Sequence, residues 1–408
     1  MTAPARALRF GANYVPSGNW FHSWLDFDAD AVRRDFADLA SIGLDHVRVF
    51  PLWPLIQPNR SLIRRKPIDD LLTVVDLAAE AGLSVAVDLL QGHLSSFDFL
   101  PSWVQTSHHR SLFEDKTVRA GIASYVAEMT RALAGHDNVL AITLGNEVNN
   151  LWPHFSATAA ATRGFASELL DTVGRHAPRK LRLYSVYDAA WYTADHPFDP
   201  ADATDLGHLT TVHSWVFNGV SELDGAMGPA GVSHADYLVE LAAATATDPK
   251  RSVWLQEVGA PAPDVPAALA GRFVADTLWH VSTNPALWGV TWWCSHDVDR
   301  SLVDFPEREY DLGLFTVDHR PKPAAEALAA CIAASPGPVP ERRPGLRCPV
   351  DLRAQPERRD EVAPGSSFHS DWVRLRQNGP VAIVPPGRTQ DEEYLAARGI
   401  RGVISSAH

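Results

Sequence analysis

Cysteine is scarce: Cys294, Cys331 and Cys348 are the only three in 408 residues. That is too few and too scattered for a disulfide framework or a zinc cluster, so they read as small buried hydrophobes in a reducing compartment. No stretch approaches the roughly 18 consecutive apolar residues of a membrane span, and the opening MTAPARALRFGANY lacks the apolar core of a secretion signal. A cytoplasmic protein without a membrane partner is expected. Positive charge is short as well. Thirty-six Lys+Arg against 49 Asp+Glu leave a net −13, without the basic footprint of proteins that track phosphate backbones, so nucleic acid is not an expected partner. Missing too are GxGxxG, GxxxxGK, HExxH and GxSxG, which removes dinucleotide, P-loop, zinc-protease and serine-esterase readings. An amidohydrolase barrel would carry His-x-His after its first strand, where this chain has Asn13-Tyr14-Val15. His108-His109 reads as a solvated turn. No metal and no cofactor are expected.

What is present is an alternation. At 46% apolar and 21% charged the chain is an ordinary folded one. From residue 9 to 333 short β-branched or aromatic runs alternate with helix-length segments, the pattern of βα units around a parallel sheet. Eight runs qualify: RFGANYV from Arg9, HVRVF from His46, SVAVDLL from Ser84, VLAITLGNEV from Val139, RLYSVY from Arg182, LTTVHSW from Leu209, SVWLQEVG from Ser252 and WGVTWWC from Trp288. Between them, DADAVRRDFADLASIG repeats Val32, Phe36, Leu39 and Ile42 near helical spacing behind a capping Asp28. Eight repeats predict an α/β fold, a (β/α)8 TIM barrel over residues 1–333. The fifth unit is the least helical, since DAAWYTADHPFDPADATD reads as a long loop. Residues 334–345 form a proline-rich linker. Residues 346–408 form a small α/β extension of net positive charge, read as strand, helix, strand over VAIVPPGRTQDEEYLAARGIRGVISS. It is too small to fold alone and is expected to pack on the barrel or, as a homo-oligomer contact, on a neighbouring subunit.

Active sites of such barrels lie where the strands run out. Asn146-Glu147 closes the fourth strand and Glu257 the seventh, each directly after an apolar run. Burying a carboxylate there costs several kcal/mol unless it has a partner or a task, so a purely structural reading of the pair is strained. Two carboxylates facing each other across a barrel mouth are the equipment of glycoside hydrolysis, one protonated to release the leaving oxygen and one ionised to attack the sugar carbon.

On these residues the chain resembles a clan A glycoside hydrolase, most closely family 5, over residues 9 to 333. The resemblance implies that Glu147 is the acid/base, with Asn146 before it, and that Glu257 is the nucleophile. It further matches Arg48 to the arginine near the nucleophile, His93 to the histidine after strand three, His213 to the histidine after strand six, and Trp292 or Trp293 to the tryptophan flooring the sugar subsite. Trp215 departs from the pattern, standing where family members usually place a tyrosine that hydrogen-bonds the nucleophile; its indole N–H or Tyr187 could serve instead. Nine of the 13 tryptophans fall on the active side: Trp20, Trp24, Trp53, Trp103, Trp152, Trp191, Trp215, Trp292 and Trp293. Their faces suit the C–H surfaces of sugar rings, with Trp20 and Trp24 in the first loop as walls. FGANYVPSGNWFHSWLDF and HVRVFPLWPLIQPNRSLI are similar to intracellular family 5 β-mannosidases. The implied activity is retaining and exo-acting: release of mannose from short β-1,4-linked manno-oligosaccharides or mannosyl-N-acetylglucosamine. An endo-β-1,4-mannanase or β-glucanase of the same clan is the alternative, and a non-catalytic sugar-binding barrel the remote one.

Overall fold

The computed structural model describes residues 8–106, 108–334 and 342–405. Eight parallel strands follow one another: β1 (Arg9–Asn13), β2 (His46–Val49), β3 (Ser84–Leu90), β4 (Val139–Gly145), β5 (Leu181–Leu183), β6 (Thr210–Ser214), β7 (Val253–Val258) and β8 (Leu287–Trp292). They hydrogen-bond in the order β5-β4-β3-β2-β1-β8-β7-β6, a (β/α)8 barrel with one seam. At the seam, β5 and β6 are joined by side chains: Thr211 Oγ1 donates to the Tyr184 carbonyl at 3.0 Å, and Ser185 Oγ meets His213 Nε2 at 3.0 Å.

The helices after the strands are α1 (Ala29–Ser41), α2 (Arg65–Glu80), α3 (Lys116–Leu133), α4 (Ala159–His176), α5 (Pro200–Asp205), α6 (Pro229–Thr245), α7 (Ala270–Val281) and α8 (Pro323–Ala334). α1 starts where the Asp28 carboxylate accepts from the N–H groups of Asp30 and Ala31, satisfying two otherwise orphaned donors, and it buries Val32, Phe36 and Leu39. The segment after β5, expected as a loop, contains α5 and a single turn at Ala189–Tyr192. Pro200 opens α5 with a fixed φ and no N–H to satisfy. Among the described residues, no helix is long and apolar enough to cross a membrane.

β9 (Arg343–Arg347), β10 (Ala382–Val384) and β11 (Ile400–Ile404) form a separate parallel sheet in the order β10-β9-β11, with α9 (Ser367–Arg376) and α10 (Glu392–Ala397). β9 begins inside the stretch expected as linker; residues 335–341 of that stretch lie outside the described ones. The sheet and α9 lie against α6, which is why α6 is buried on every side. The carboxylates enclosed there are paired: Glu240 with Arg343 and with Arg398 (2.8 Å), and Asp236 with Arg376 (2.6 Å).

Candidate active site

The C-terminal strand ends open into a cavity of about 350 Å³ lined by Asn146, Glu147, Tyr187, Trp215, Glu257 and Trp293, with His93, Ser95 and Ser96 on one wall and Pro306, Arg308 and Glu309 on another. Its volume is at the low end of small-molecule sites, roughly 300–1,000 Å³. β4 reaches it after Gly145, where a Cβ would stand 2.5 Å from the Leu90 carbonyl of β3. Glu147 follows with φ 44°, a left-handed conformation that is uncommon outside glycine and concentrates at functional sites. Gly259 does the same service beyond β7: a side chain there would meet the Trp215 ring at 2.8 Å. Trp215 can therefore lie over Glu257.

Glu257 is buried and accepts from Arg48 Nη1 at 2.5 Å and from Trp215 Nε1 at 3.4 Å. Arg48 is held in turn by Asp88 (Nη2–Oδ2 2.6 Å), Asn146 Oδ1 (2.7 Å) and Asn13 Oδ1 (3.0 Å). Glu147 accepts from Asn150 Nδ2 at 2.7 Å, and its other oxygen lies 2.7 Å from His213 Nδ1, which is also 3.3 Å from Glu257 Oε2. One oxygen of each glutamate and the His213 nitrogen lie within 4.8 Å of one another. That approach matches the spacing of about 5–5.5 Å at which the second carboxylate attacks directly, rather than the roughly 6.5–9.5 Å that leaves room for a water.

Burial pushes the Glu147 carboxyl up to about 7, against the pull of His93, Arg48 and the Asn150 hydrogen bond. Burial also raises Glu257, with His213 and Arg48 opposing and Glu147 adding to the rise. Only Glu257 touches the guanidinium, so the single proton that two close carboxylates share belongs on Glu147. Burial lowers His213 to about 4, keeping it neutral. A neutral imidazole can accept from a protonated Glu147 or donate to an ionised one, as the tautomer allows.

The residues anticipated from sequence separate into two groups. Arg48, His93, Asn146, Glu147, Tyr187, His213, Trp215, Glu257 and Trp293 stand at or directly behind the cavity. Trp215 makes the contact to Glu257, whereas Tyr187 stands beside Glu147, whose charge helps burial raise the phenol to about 12. Three tryptophans do not belong. Trp292 is 1% exposed and packs in the main core, because successive strand residues face opposite sides and Trp293 takes the cavity side. Trp20 is also 1% exposed, its ring within 4.7–5.6 Å of Phe21, Phe97, Phe99 and Phe305 in a loop core. Trp24 stacks near Phe27 and lines a separate hollow beside α1. Unanticipated were Asn13, Asp88, Asn150, Arg308 and Glu309. Asp88 interrupts the apolar run SVAVDLL and carries the same signal as Glu257; Arg308 and Glu309 lie in a single helical turn, Glu307–Tyr310, too short to show a sequence pattern.

A buried, closely spaced pair of glutamates at the mouth of a (β/α)8 barrel, only one of them against an arginine, is the equipment of a retaining glycoside hydrolase. Neither a family model nor a curated sequence matches the chain. Solved structures do. A GH5_18 enzyme of Streptomyces cattleya, seen as a glutamate-to-alanine variant in complex with Manβ1-4GlcNAc, is 48% identical with TM-score 0.94, covering 98% of this chain and 99% of that one. A GH5_18 enzyme of Bifidobacterium longum subsp. infantis is 40% identical with TM-score 0.94, covering 99% and 97%. An exo-β-1,4-mannosidase of Opitutaceae bacterium strain TAV5, 22% identical with TM-score 0.80 over 99% and 75%, shares the fold. The chain belongs to the GH5_18 enzymes, in family 5 of the clan A glycoside hydrolases.

Proposed function

We propose that this enzyme is an exo-acting β-mannosidase that releases terminal mannose from Manβ1-4GlcNAc and short β-1,4-linked manno-oligosaccharides. The observation that carries the reading is a compact cavity of about 350 Å³ that holds the carboxylate pair among its lining together with His93, Ser95 and Ser96 from one segment and Pro306, Arg308 and Glu309 from another. A polymer groove would need an open path past the terminal sugar. The disaccharide bound by the Streptomyces relative supports the same substrate.

In the first step Glu257, held ionised by Arg48 and oriented by the Trp215 N–H, attacks the anomeric carbon while Glu147 protonates the departing oxygen. The mannosyl ester cancels the Glu257 charge, so burial alone, without a carboxylate charge beside it, is left to hold up the Glu147 pKa. Glu147 then ionises at lower pH and takes a proton from the water that attacks the ester. The three cysteines, all free, support a cytoplasmic setting, and the net charge of −13 supports a partner set of sugars without nucleic acid. The test is product analysis on Manβ1-4GlcNAc, mannobiose and soluble mannan. Free mannose from the first two, with little release from mannan, is the expected outcome; early mixed oligosaccharides from mannan would replace the reading with the endo-mannanase one.

A further inference from the structure

Away from the sugar cavity, where α1 meets the segment after β8, two aspartates and two histidines converge that the glycosidase chemistry does not use. Asp35 and Asp38 lie about one turn apart on α1, His296 follows β8, and His319 sits in the turn before α8. Asp35 is fully buried, and its two oxygens have unlike surroundings. Oδ2 accepts from the Tyr14 hydroxyl at 2.7 Å and the Ser17 N–H at 3.1 Å. Oδ1 has no hydrogen-bond partner and faces His296 Nε2 at 3.6 Å and His319 Nδ1 at 3.8 Å. Asp38 Oδ2 lies 3.2 Å from that His296 nitrogen and 2.7 Å from that of His319.

The Asp35 distances are too long for hydrogen bonds, yet donor atoms of Asp35, His296 and His319 all lie within 4.8 Å of one another. An ion with metal–ligand bonds of about 2.0–2.2 Å, at angles between tetrahedral and trigonal, holds its ligands about 3.3–3.8 Å apart. A buried carboxylate oxygen without a donor is costly, and a cation is the group that would satisfy it. His319 reaches the cluster from a left-handed turn, φ 63°, a backbone state rarely used by a non-glycine residue. Imidazole with carboxylate suits zinc and its neighbours better than calcium or magnesium, which take oxygen shells.

We propose that Asp35, His296 and His319, with Asp38 as fourth ligand, bind a divalent cation of the zinc class. Asp38 would move about half an ångström off His319 to make room for the ion. Tyr14 and Ser17 already fix the free half of the Asp35 carboxylate, as outer-shell donors do in metal sites. The sequence gives no hint of this site, because its ligands come from opposite ends of the barrel chain and have no motif spacing. His296 and His319 bracket the segment that carries Pro306, Arg308 and Glu309 to the cavity, so the ion would staple both ends of that wall to α1.

The test uses full-length protein with no affinity tag, stripped with EDTA, re-equilibrated with zinc chloride at micromolar free zinc and gel-filtered. Elemental analysis should find close to one zinc per chain, and the thermal midpoint should rise by a few degrees relative to the stripped protein. His319→Asn removes the ring but keeps a residue that tolerates the left-handed turn; Asp35→Asn removes the charge. Each variant, folded by circular dichroism, should lose both the retained zinc and the shift. A wild type that retains no zinc and whose midpoint does not move would overturn the proposal. So would a folded His319→Asn protein that retains zinc as the wild type does, since the ion would then lie elsewhere, for instance between the two glutamates.

Discussion

Glu147 and Glu257 differ most in one neighbour: the Arg48 guanidinium touches only Glu257. Their variants should therefore fail differently. Glu257→Ala is expected to abolish turnover of every substrate, having no group to form the ester. Glu147→Ala should still be mannosylated by a 2,4-dinitrophenyl mannoside, whose leaving group needs no proton, and added azide should restore turnover with retained configuration. Retained-configuration rescue of the Glu257 variant instead would mean that the roles are reversed. A second prediction concerns pH. Glu147 must be protonated to act, so kcat/KM should fall as pH rises through about 7. The Asn150 N–H favours the charged carboxylate, and deleting it with Asn150→Ala should raise the Glu147 pKa. The alkaline limb should move up by about one pH unit, the size expected of a lost hydrogen bond to a charged group. Movement to lower pH in a pH–rate profile would contradict this assignment of the acid.

At the scale of elements, the barrel and its two glutamates are legible in sequence because each strand is a short apolar run and a carboxylate at its end has no cheap structural explanation. The loops are less legible. A tryptophan that floors a sugar site and one that fills a loop core have the same composition and the same neighbours in sequence, so Trp20 and Trp293 look alike until the chain is folded. Trp292 and Trp293 are separable only once the strand's exit point fixes which of two adjacent residues faces the mouth. Trp20 acts on the site indirectly, tying the first loop to Phe97 of the His93–Asp98 hairpin and to Phe305 beside the Pro306–Glu309 wall. Trp20→Ala should therefore cost about 3–5 kcal/mol of stability, as large-to-small changes in packed cores do, with any loss of mannoside binding following from a loosened wall. Chemical denaturation with parallel kinetics decides it: an unchanged midpoint with a raised KM would make Trp20 a sugar contact after all.

Across the whole molecule, the extension and the barrel share a buried charge network, and this determines how the two parts stand or fall together. Glu240 lies on α6 of the barrel with no exposed surface; Asn284 of the barrel donates to it at 2.8 Å, and its other partners, Arg343, Arg398 and the Ile383 N–H, come from the C-terminal sheet and its loops. The net effect, with burial opposed by the two guanidinium groups, is a Glu240 carboxyl held below its usual range. A carboxyl with a depressed folded pKa contributes its full stability above the unfolded value of about 4.3 and loses it as pH falls towards the folded one. Arg398→Ala removes one of the two opposing cations, leaving a buried carboxylate half-paired. It should cost about 3–5 kcal/mol at pH 7, the range for breaking a buried pair from one side. Because the Glu240 pKa rises in the variant, the stability lost on acidification below about 4.3 should be smaller than in the wild type, so the gap between the two proteins narrows in acid. Tryptophan fluorescence followed through urea at pH 7 and again at a pH below about 4 measures both effects. Equal midpoints for the two proteins at pH 7 would mean that the extension is a passive appendage and that Glu240 is satisfied from within the barrel.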